Sequence, residues 1–349
     1  MAALQLGAIV GALGGGQNGS AFSDQFWLVL LLPGFLVLGV CAVVGLRVPE
    51  SEDREAGTVD ATGAAVLSVV LLVITGGLTL VRVNGAGELW PWLLTALGLL
   101  LVVPFVRFEL SREDPLVDFR VLRSPSMWPV QLTAGLFGVS VLGAQGPLST
   151  FARTDPEVYG YGLGLPTSTV SVVIGGYVVA LLVGASQFSR ISQRTSPRST
   201  LIGAAVLTGI GYLLLVPFHG SLGQVLASMV VAGLGSGALV AALPAAAAAA
   251  APAGRTGVAT GLTNTTKVLG GSFASATFAL ALASGAPVLV DGTEGTAGSL
   301  SGYVTVWVIC GVTALAAAAA LVVVPRLAFS DAPVAADLRS AAPATGDQA

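Results

Sequence analysis

The chain has 349 residues, of which 54% are hydrophobic and 9% charged, with mean hydropathy +0.87 and net charge −3. Soluble domains carry about 25% charged residues, so the composition excludes a water-soluble enzyme, a nucleic-acid reader and a disordered tail protein. The solvent is lipid, and at ~20 apolar residues per spanning helix the length corresponds to about ten spans joined by short loops.

In chain order the apolar segments are 3–16, 25–46, 61–81, 89–107, 126–149, 167–187, 200–218, 223–250, 258–284 and 302–325. Each is expected to be helical, because backbone amides in hydrocarbon find no partners but one another. A β-barrel needs alternating strands of about ten residues, and these runs are continuous. The first segment is short, follows Met1-Ala2-Ala3 without the basic flank of a signal peptide, and ends in Gly14-Gly15-Gly16. Cys41 and Cys310 each lie inside an apolar run and read as small buried hydrophobes. No disulfide framework, metal site, cofactor or catalytic residue is indicated. His219, between Pro217 and Gly220, reads as a loop residue.

Orientation follows from the basic residues. If the first segment runs outward, the inner loops hold Arg47, Arg54, Arg107, Arg112, Arg120, Arg123, Arg190, Arg194, Arg198, Arg255, Arg326 and Arg339, and the outer loops only Arg82 and Arg153. The expectation is a multi-pass protein of the bacterial inner membrane with a cytoplasmic C-terminus. Residues 327–349, rich in Ala, Pro and Asp, are expected to be a disordered cytoplasmic tail. Trp90, Trp92, Trp128 and Trp307 read as interfacial anchors. Pro115 to Arg123 reads as an amphipathic stretch on the inner surface, with Leu116, Phe119 and Leu122 in the interface and Arg120 and Arg123 towards headgroups.

Several motifs carry a family resemblance. Gly7-x3-Gly11-Ala12-Leu13-Gly14-Gly15-Gly16 resembles the antiporter motif of the major facilitator superfamily, with Ala12 at the position of its proline. Arg47-Val48-Pro49-Glu50 looks like that family's exit from helix six. Val59-Asp60-Ala61-Thr62-Gly63-Ala64 resembles the acidic start of helix seven in the 14-spanning drug/proton antiporter branch (EmrB/QacA type). Pro115 to Arg123 resembles the segment before helix nine. Gly254 to Gly261 with Asn264, Lys267, Gly270 and Gly271 resembles helix thirteen, where the family more often has Arg at the Lys267 position. The resemblance covers residues 6–325. It implies an all-α major facilitator helical bundle that exports hydrophobic or amphipathic small molecules by proton antiport and alternating access. Its partners are the lipid bilayer, the substrate and protons, with no nucleic acid and no enzymatic activity. It also implies four parts: residues 1–47 as the remnant of an N-terminal half (helices five and six), 48–110 as a linking helix pair, 111–326 as the C-terminal six-helix half, and 327–349 as the tail. Helices one to four would then be absent, and such a chain is expected not to transport alone. The rival expectation is a transport-inactive membrane remnant or scaffold protein.

Ionisable groups in lipid are costly and mark function. The spans contain no Asp or Glu near mid-depth; Asp60, Glu88 and Glu109 lie at span ends. Lys267 is the only lysine and the only charge well inside a span. Thr260, Asn264, Lys267, Gly271 and Ser275 share one helix face; the face lines a substrate path, or Lys267 snorkels to the inner surface. Gln145-Gly146-Pro147 interrupts a span, so Gln145 either meets substrate or joins a helix contact. Tyr177 completes the substrate-path candidates with Gln145, Asn264 and Lys267. Gln193 to Arg198 resembles a degenerate copy of the family's signature loop, with Gln193 in place of its Asp; Arg194 and Arg198 are gating candidates, or simply set topology. The motif glycines Gly7, Gly11, Gly15 and Gly16 are candidates by resemblance. Gly233-x-Gly235-x-Gly237 and Gly257-x3-Gly261 read as close-packing sites.

Overall fold

The structure is a computed structural model that describes residues 26–47, 60–84, 87–112, 115–117, 119–251, 256–283, 289–290, 293–294 and 298–323. The segment 3–16, with Gly7, Gly11, Gly15 and Gly16, and the tail 327–349 lie outside the described residues. The described chain is helical throughout: α1 (Phe26–Arg47), α2 (Ala61–Asn84), α3 (Leu89–Leu110), α4 (Phe119–Leu122), α5 (Trp128–Leu142), α6 (Gln145–Arg153), α7 (Pro156–Tyr159), α8 (Thr167–Arg194), α9 (Pro197–Leu214), α10 (Leu222–Ala250), α11 (Thr256–Ala283) and α12 (Leu300–Val323). A two-residue antiparallel pairing, Leu289–Val290 with Thr293–Glu294, lies between α11 and α12.

Five of these helices are long and apolar enough to cross a membrane by length and composition: Ala61–Val81, Leu89–Leu110, Ser168–Arg194, Leu222–Ala250 and Leu300–Val323. About ten spans were expected; segment 3–16 lies outside the described residues and α1 is described only in part, and for the other segments the cause is local. α9 opens on Pro197-Arg198-Ser199-Thr200, and α11 carries Thr, Asn and Lys in its first half, which dilutes their apolar content. The 126–149 run divides into α5 and α6 at Gly143 and Ala144. The break falls one turn before Pro147 because the proline ring displaces the carbonyl four residues earlier, that of Gly143, and offers it no N–H. Gln145 and Pro147 therefore belong to the first turn of α6 rather than to the interruption itself.

Packing rests on backbone contact through glycine. A side chain at Gly233 would meet the Tyr177 carbonyl and one at Gly237 the Leu181 carbonyl, both on α8. Gly235, on the other side of α10, faces the Ala204 carbonyl of α9. This one motif lets α10 sit between α8 and α9, as expected of small residues at helix contacts in lipid. Gly257 and Gly261 differ: a side chain at either would meet nothing within 4 Å, so they are not packing sites. A second crossing joins α5 to α11, with Gly138 against the Lys267 carbonyl, Gly270 against the Gly135 carbonyl and Gly271 against Leu142. The main core gathers Phe137, Leu201, Met229, Leu239, Trp307 and Leu321. α2 and α3 form a hairpin with its own small core of Val70, Ile74, Leu78 and Phe105, against which Ala276 and Leu280 of α11 pack.

One end of the bundle, here termed the basic end, gathers the C-termini of α3, α8 and α12 and the N-terminus of α9. Two arginines there act as helix caps. Arg198 donates through Nε to the Leu321 carbonyl at 3.2 Å and through its terminal nitrogen to the Val322 carbonyl. Arg120 donates to the Leu110 carbonyl at 2.8 Å. Each supplies hydrogen bonds that a helix C-terminus cannot make internally. At the opposite end, Phe151 packs edge-on against Tyr303 and Trp307, with ring centroids 5.3 and 5.1 Å away. His219 joins them, 5.5 Å from Trp307, with Nδ1 3.1 Å from the Leu215 carbonyl.

The structure revises four readings of single residues. Trp307 is 1% exposed and belongs to this aromatic core, whereas Trp90, Trp92 and Trp128 are 40–48% exposed. Cys41 is exposed and only Cys310 is buried. Phe119 turns inward onto Phe105, centroids 6.2 Å apart. Glu109, at the end of its span, is only 1% exposed, because the chain beyond α3 folds back over it.

Candidate functional site

Ala134, Phe137, Val141, Ala144 and Leu148 follow one another at spacings of three and four residues and form a single stripe along α5 and α6. Two clefts open along this stripe, both closed on the far side by α10. Nearer the basic end, Asn264, Lys267 and Thr263 of α11 face Ala134, Phe137, Val240, Leu243 and Pro244. Beyond it, Gln145 and Tyr177 face Tyr212 and Met229, with Ile174 beside them. Met229 and Val240 lie eleven residues apart on α10, three helical turns and hence on the same face. The four substrate-path candidates thus fall as two pairs, Asn264 with Lys267 and Gln145 with Tyr177, on one crevice.

The α11 face is divided by its crossing with α5. Gly271 is buried in that crossing, whereas Asn264 is exposed and Lys267 half-buried. The polar stripe therefore lines the cleft only over Thr260 to Lys267; from Gly271 onward the face is covered by α5 or, at Ser275, exposed. Among the described residues Lys267 has no hydrogen-bond or ion-pair partner. It is the one charged residue lining an otherwise almost apolar cleft. The Tyr177 hydroxyl is buried without a hydrogen bond, beside Ser236 and Tyr212. Together with Gln145, which can donate and accept, it supplies the polar edge of the second cleft.

The two gating candidates are placed differently. Arg194, in the last turn of α8, is exposed, whereas Arg198 is held on the end of α12. Ser196 between them is the N-cap of α9, accepting from the Ser199 amide at 3.1 Å, with Pro197 in the first turn. The loop is thus a compact turn between two helices.

Other residues went unnoticed in the sequence. Gln131 is 2% exposed and donates to Thr263 Oγ1 at 2.8 Å, tying α5 to α11 just below the first cleft, while its side-chain oxygen is buried without a partner. Ser140 Oγ donates to the Cys310 carbonyl at 3.0 Å, tying α5 to α12. Tyr212 and Met229 complete the second cleft. Each of these is an uncharged residue inside an apolar run, so only an unbroken helical register linking it to Gln145 or Tyr177 would have singled it out.

The profile described as Major Facilitator Superfamily matches residues 1–275 and 156–344. The chain is 29% identical over 343 residues to the cephamycin export protein CmcT of Amycolatopsis lactamdurans, covering 93% of this chain and 66% of that protein. It is 24% identical over 269 residues to the multidrug efflux pump LfrA of Mycolicibacterium smegmatis (strain ATCC 700084 / mc(2)155), covering 76% of this chain and 52% of that one. The chain therefore spans between half and two thirds of the length of these relatives. With an all-helical bundle, membrane-spanning helices and a family match over most of its length, the chain is a multi-pass membrane protein that belongs to the Major Facilitator Superfamily.

Proposed function

We propose that this chain is a secondary active exporter of the 14-spanning drug/proton antiporter branch, or the greater part of one. It moves hydrophobic or amphipathic small molecules outward in exchange for protons by alternating access. The observation that carries the reading is the crevice: two clefts in line between α5/α6 and α10, almost wholly apolar, each with a few polar side chains. A lining of that make-up suits amphipathic ligands, which bury apolar surface and place one polar group; each cleft, at about 20 Å³, admits them only once the helices move apart. The relatives' names, one an export protein and one a multidrug efflux pump, point the same way. Lys267 and Asn264 would meet the polar group of the substrate at the basic end, which the arginine distribution assigns to the cytoplasm, and Gln145 and Tyr177 would receive it further along.

The test is export from energised vesicles. Against the expectation that a chain without helices one to four does not transport alone, everted bacterial membrane vesicles containing the full chain should accumulate a fluorescent amphipathic dye when a proton gradient is imposed, and a protonophore should abolish the uptake. Lys267→Gln and Gln145→Ala should each reduce it. Vesicles with the wild-type chain correctly inserted but no uptake would overturn the proposal and favour a transport-inactive membrane protein.

A further inference from the structure

Away from the crevice, the two legs of the α2–α3 hairpin meet closely at one end and part at the other. Towards the turn they touch backbone to backbone: a side chain at Gly77 would begin 2.7 Å from the Thr95 amide nitrogen, and one at Gly98 2.9 Å from that of Ile74. Towards the basic end, at Gly63, the nearest atom of α3 is a side-chain oxygen of Glu109, so a whole side chain stands between the legs. The space between them is therefore a wedge. On one side it is left open as a groove of about 590 Å³. Val70 and Phe105, both buried in the small hairpin core, form its floor, and Val66 and Val69 of α2 face Leu101 and Phe108 of α3 across it. The lining is apolar throughout. Both legs are apolar enough to cross a membrane, so the groove opens into hydrocarbon.

The wide end of the groove carries a charge. Arg112 lies just past the end of α3, and its guanidinium stands over the Phe108 ring, 4.7 Å from the centroid. It is exposed, and among the described residues no carboxylate or carbonyl accepts from it. Arg120, by contrast, donates to the Leu110 carbonyl. From Leu101 to Phe108 the groove runs about 10 Å along the helix axis, two thirds of one leaflet of a hydrocarbon core ~30 Å thick. The occupant must therefore be slender and apolar along the groove and anionic at its mouth. A packed helix does not fit, because the legs close to backbone contact one turn beyond Leu101, at Gly98, and the helix would cover the Arg112 charge without pairing it. A free anion would leave the apolar length empty. An acidic phospholipid meets both demands: one acyl chain lies in the groove, and the phosphate meets a guanidinium whose forked donors match its oxygens. Basic sites beside spanning helices select acidic headgroups in this way.

We propose that the open side of the α2–α3 hairpin is a binding site for one acidic phospholipid, with an acyl chain between Val66, Val69, Leu101 and Phe108 and the phosphate on Arg112. The site is distinct from the crevice and does not depend on what the chain transports. The lipid fills the wedge from outside as Phe105 fills it from within, so it acts as a removable part of the hairpin core.

The test uses the full chain, stripped of lipid in a mild detergent and offered an equal mixture of phosphatidylglycerol and phosphatidylcholine with the same oleoyl chains. Lipid that stays bound through gel filtration is counted by native mass spectrometry. The wild type should retain phosphatidylglycerol about fivefold better than phosphatidylcholine, the preference that one arginine at a headgroup supplies. Arg112→Gln should still retain lipid but lose the preference. Val69→Trp, at a position 55% exposed where the fold has room for bulk, should fill the groove and lose both lipids, with the helical circular dichroism of the wild type. Glycerol phosphate, the headgroup without chains, should not compete. Equal retention of the two lipids by the wild type overturns the proposal whatever the variants do. So does a preference that survives Arg112→Gln, retention unchanged in Val69→Trp, or displacement by glycerol phosphate, which would mark a site for a free anion. A wild-type chain that runs as a dimer and that Val69→Trp makes monomeric overturns it too, since a second copy would then cover the groove.

Discussion

Single side chains in this molecule do more than their position along the chain suggests. Arg198 lies in a basic loop expected to help set orientation, yet it also ends α12 by bonding two of its last carbonyls. Arg198→Ala should lower stability by about 1.5–3 kcal/mol, the usual range for hydrogen bonds to a charged group, measured as a drop in melting temperature. The same substitution at Arg194, which is exposed, should leave it unchanged. At Lys267 the expected outcome separates charge from shape: Lys267→Arg should retain much of the export and Lys267→Met should lose it, as measured in energised vesicles. Lys267 stands out in the sequence because one charge in an apolar run is conspicuous. The burial of Glu109 does not, because hydropathy records where a residue lies along its own helix and carries no trace of the Val117 stretch folding back over it. Trp307 was misleading for the converse reason. It lies near a span end, but the neighbouring element there is Phe151 of α6, whose place depends on the break at Gly143.

At the scale of elements, apolar runs are a faithful guide to helices, since lipid leaves the backbone no alternative. The observed boundaries of α1, α2, α3, α8, α9, α10, α11 and α12 lie within three residues of the apolar segments at the start and, save at α8 and α9, at the end. What the runs do not show is which glycines carry packing. Gly233-x-Gly235-x-Gly237 and Gly257-x3-Gly261 are alike as sequence patterns, but the first is pressed against two neighbouring backbones and the second meets nothing. Opposite responses follow. Gly237→Leu should destabilise strongly, because the Leu181 carbonyl occupies the space and overpacking costs at least ~1–3 kcal/mol. Gly261→Ala should stabilise by about 0.5–1 kcal/mol, the gain from replacing a helical glycine where no neighbour objects. Thermal unfolding of the two variants in one detergent checks both signs.

For the whole molecule, the arginine distribution predicts that the basic end faces the cytoplasm; a fluorescent protein fused to the C-terminus should fold and fluoresce, whereas a periplasmic phosphatase fused there should be inactive. The two clefts have a further consequence when taken with the glycine contacts. α10 meets α8 and α9 backbone to backbone at its glycines, so the three are expected to move together as a slab. α5 crosses α11 at Gly138 and Gly271, and that crossing lies between the two clefts: Ala134 and Phe137 line one side of it, Val141 and Gln145 the other. Gly138 is thus a fulcrum. A tilt of α5 about that point is predicted to widen the Lys267 cleft as it carries Val141 into the other one, and the break at Gly143 and Ala144 sets how much of the motion reaches Gln145 on α6.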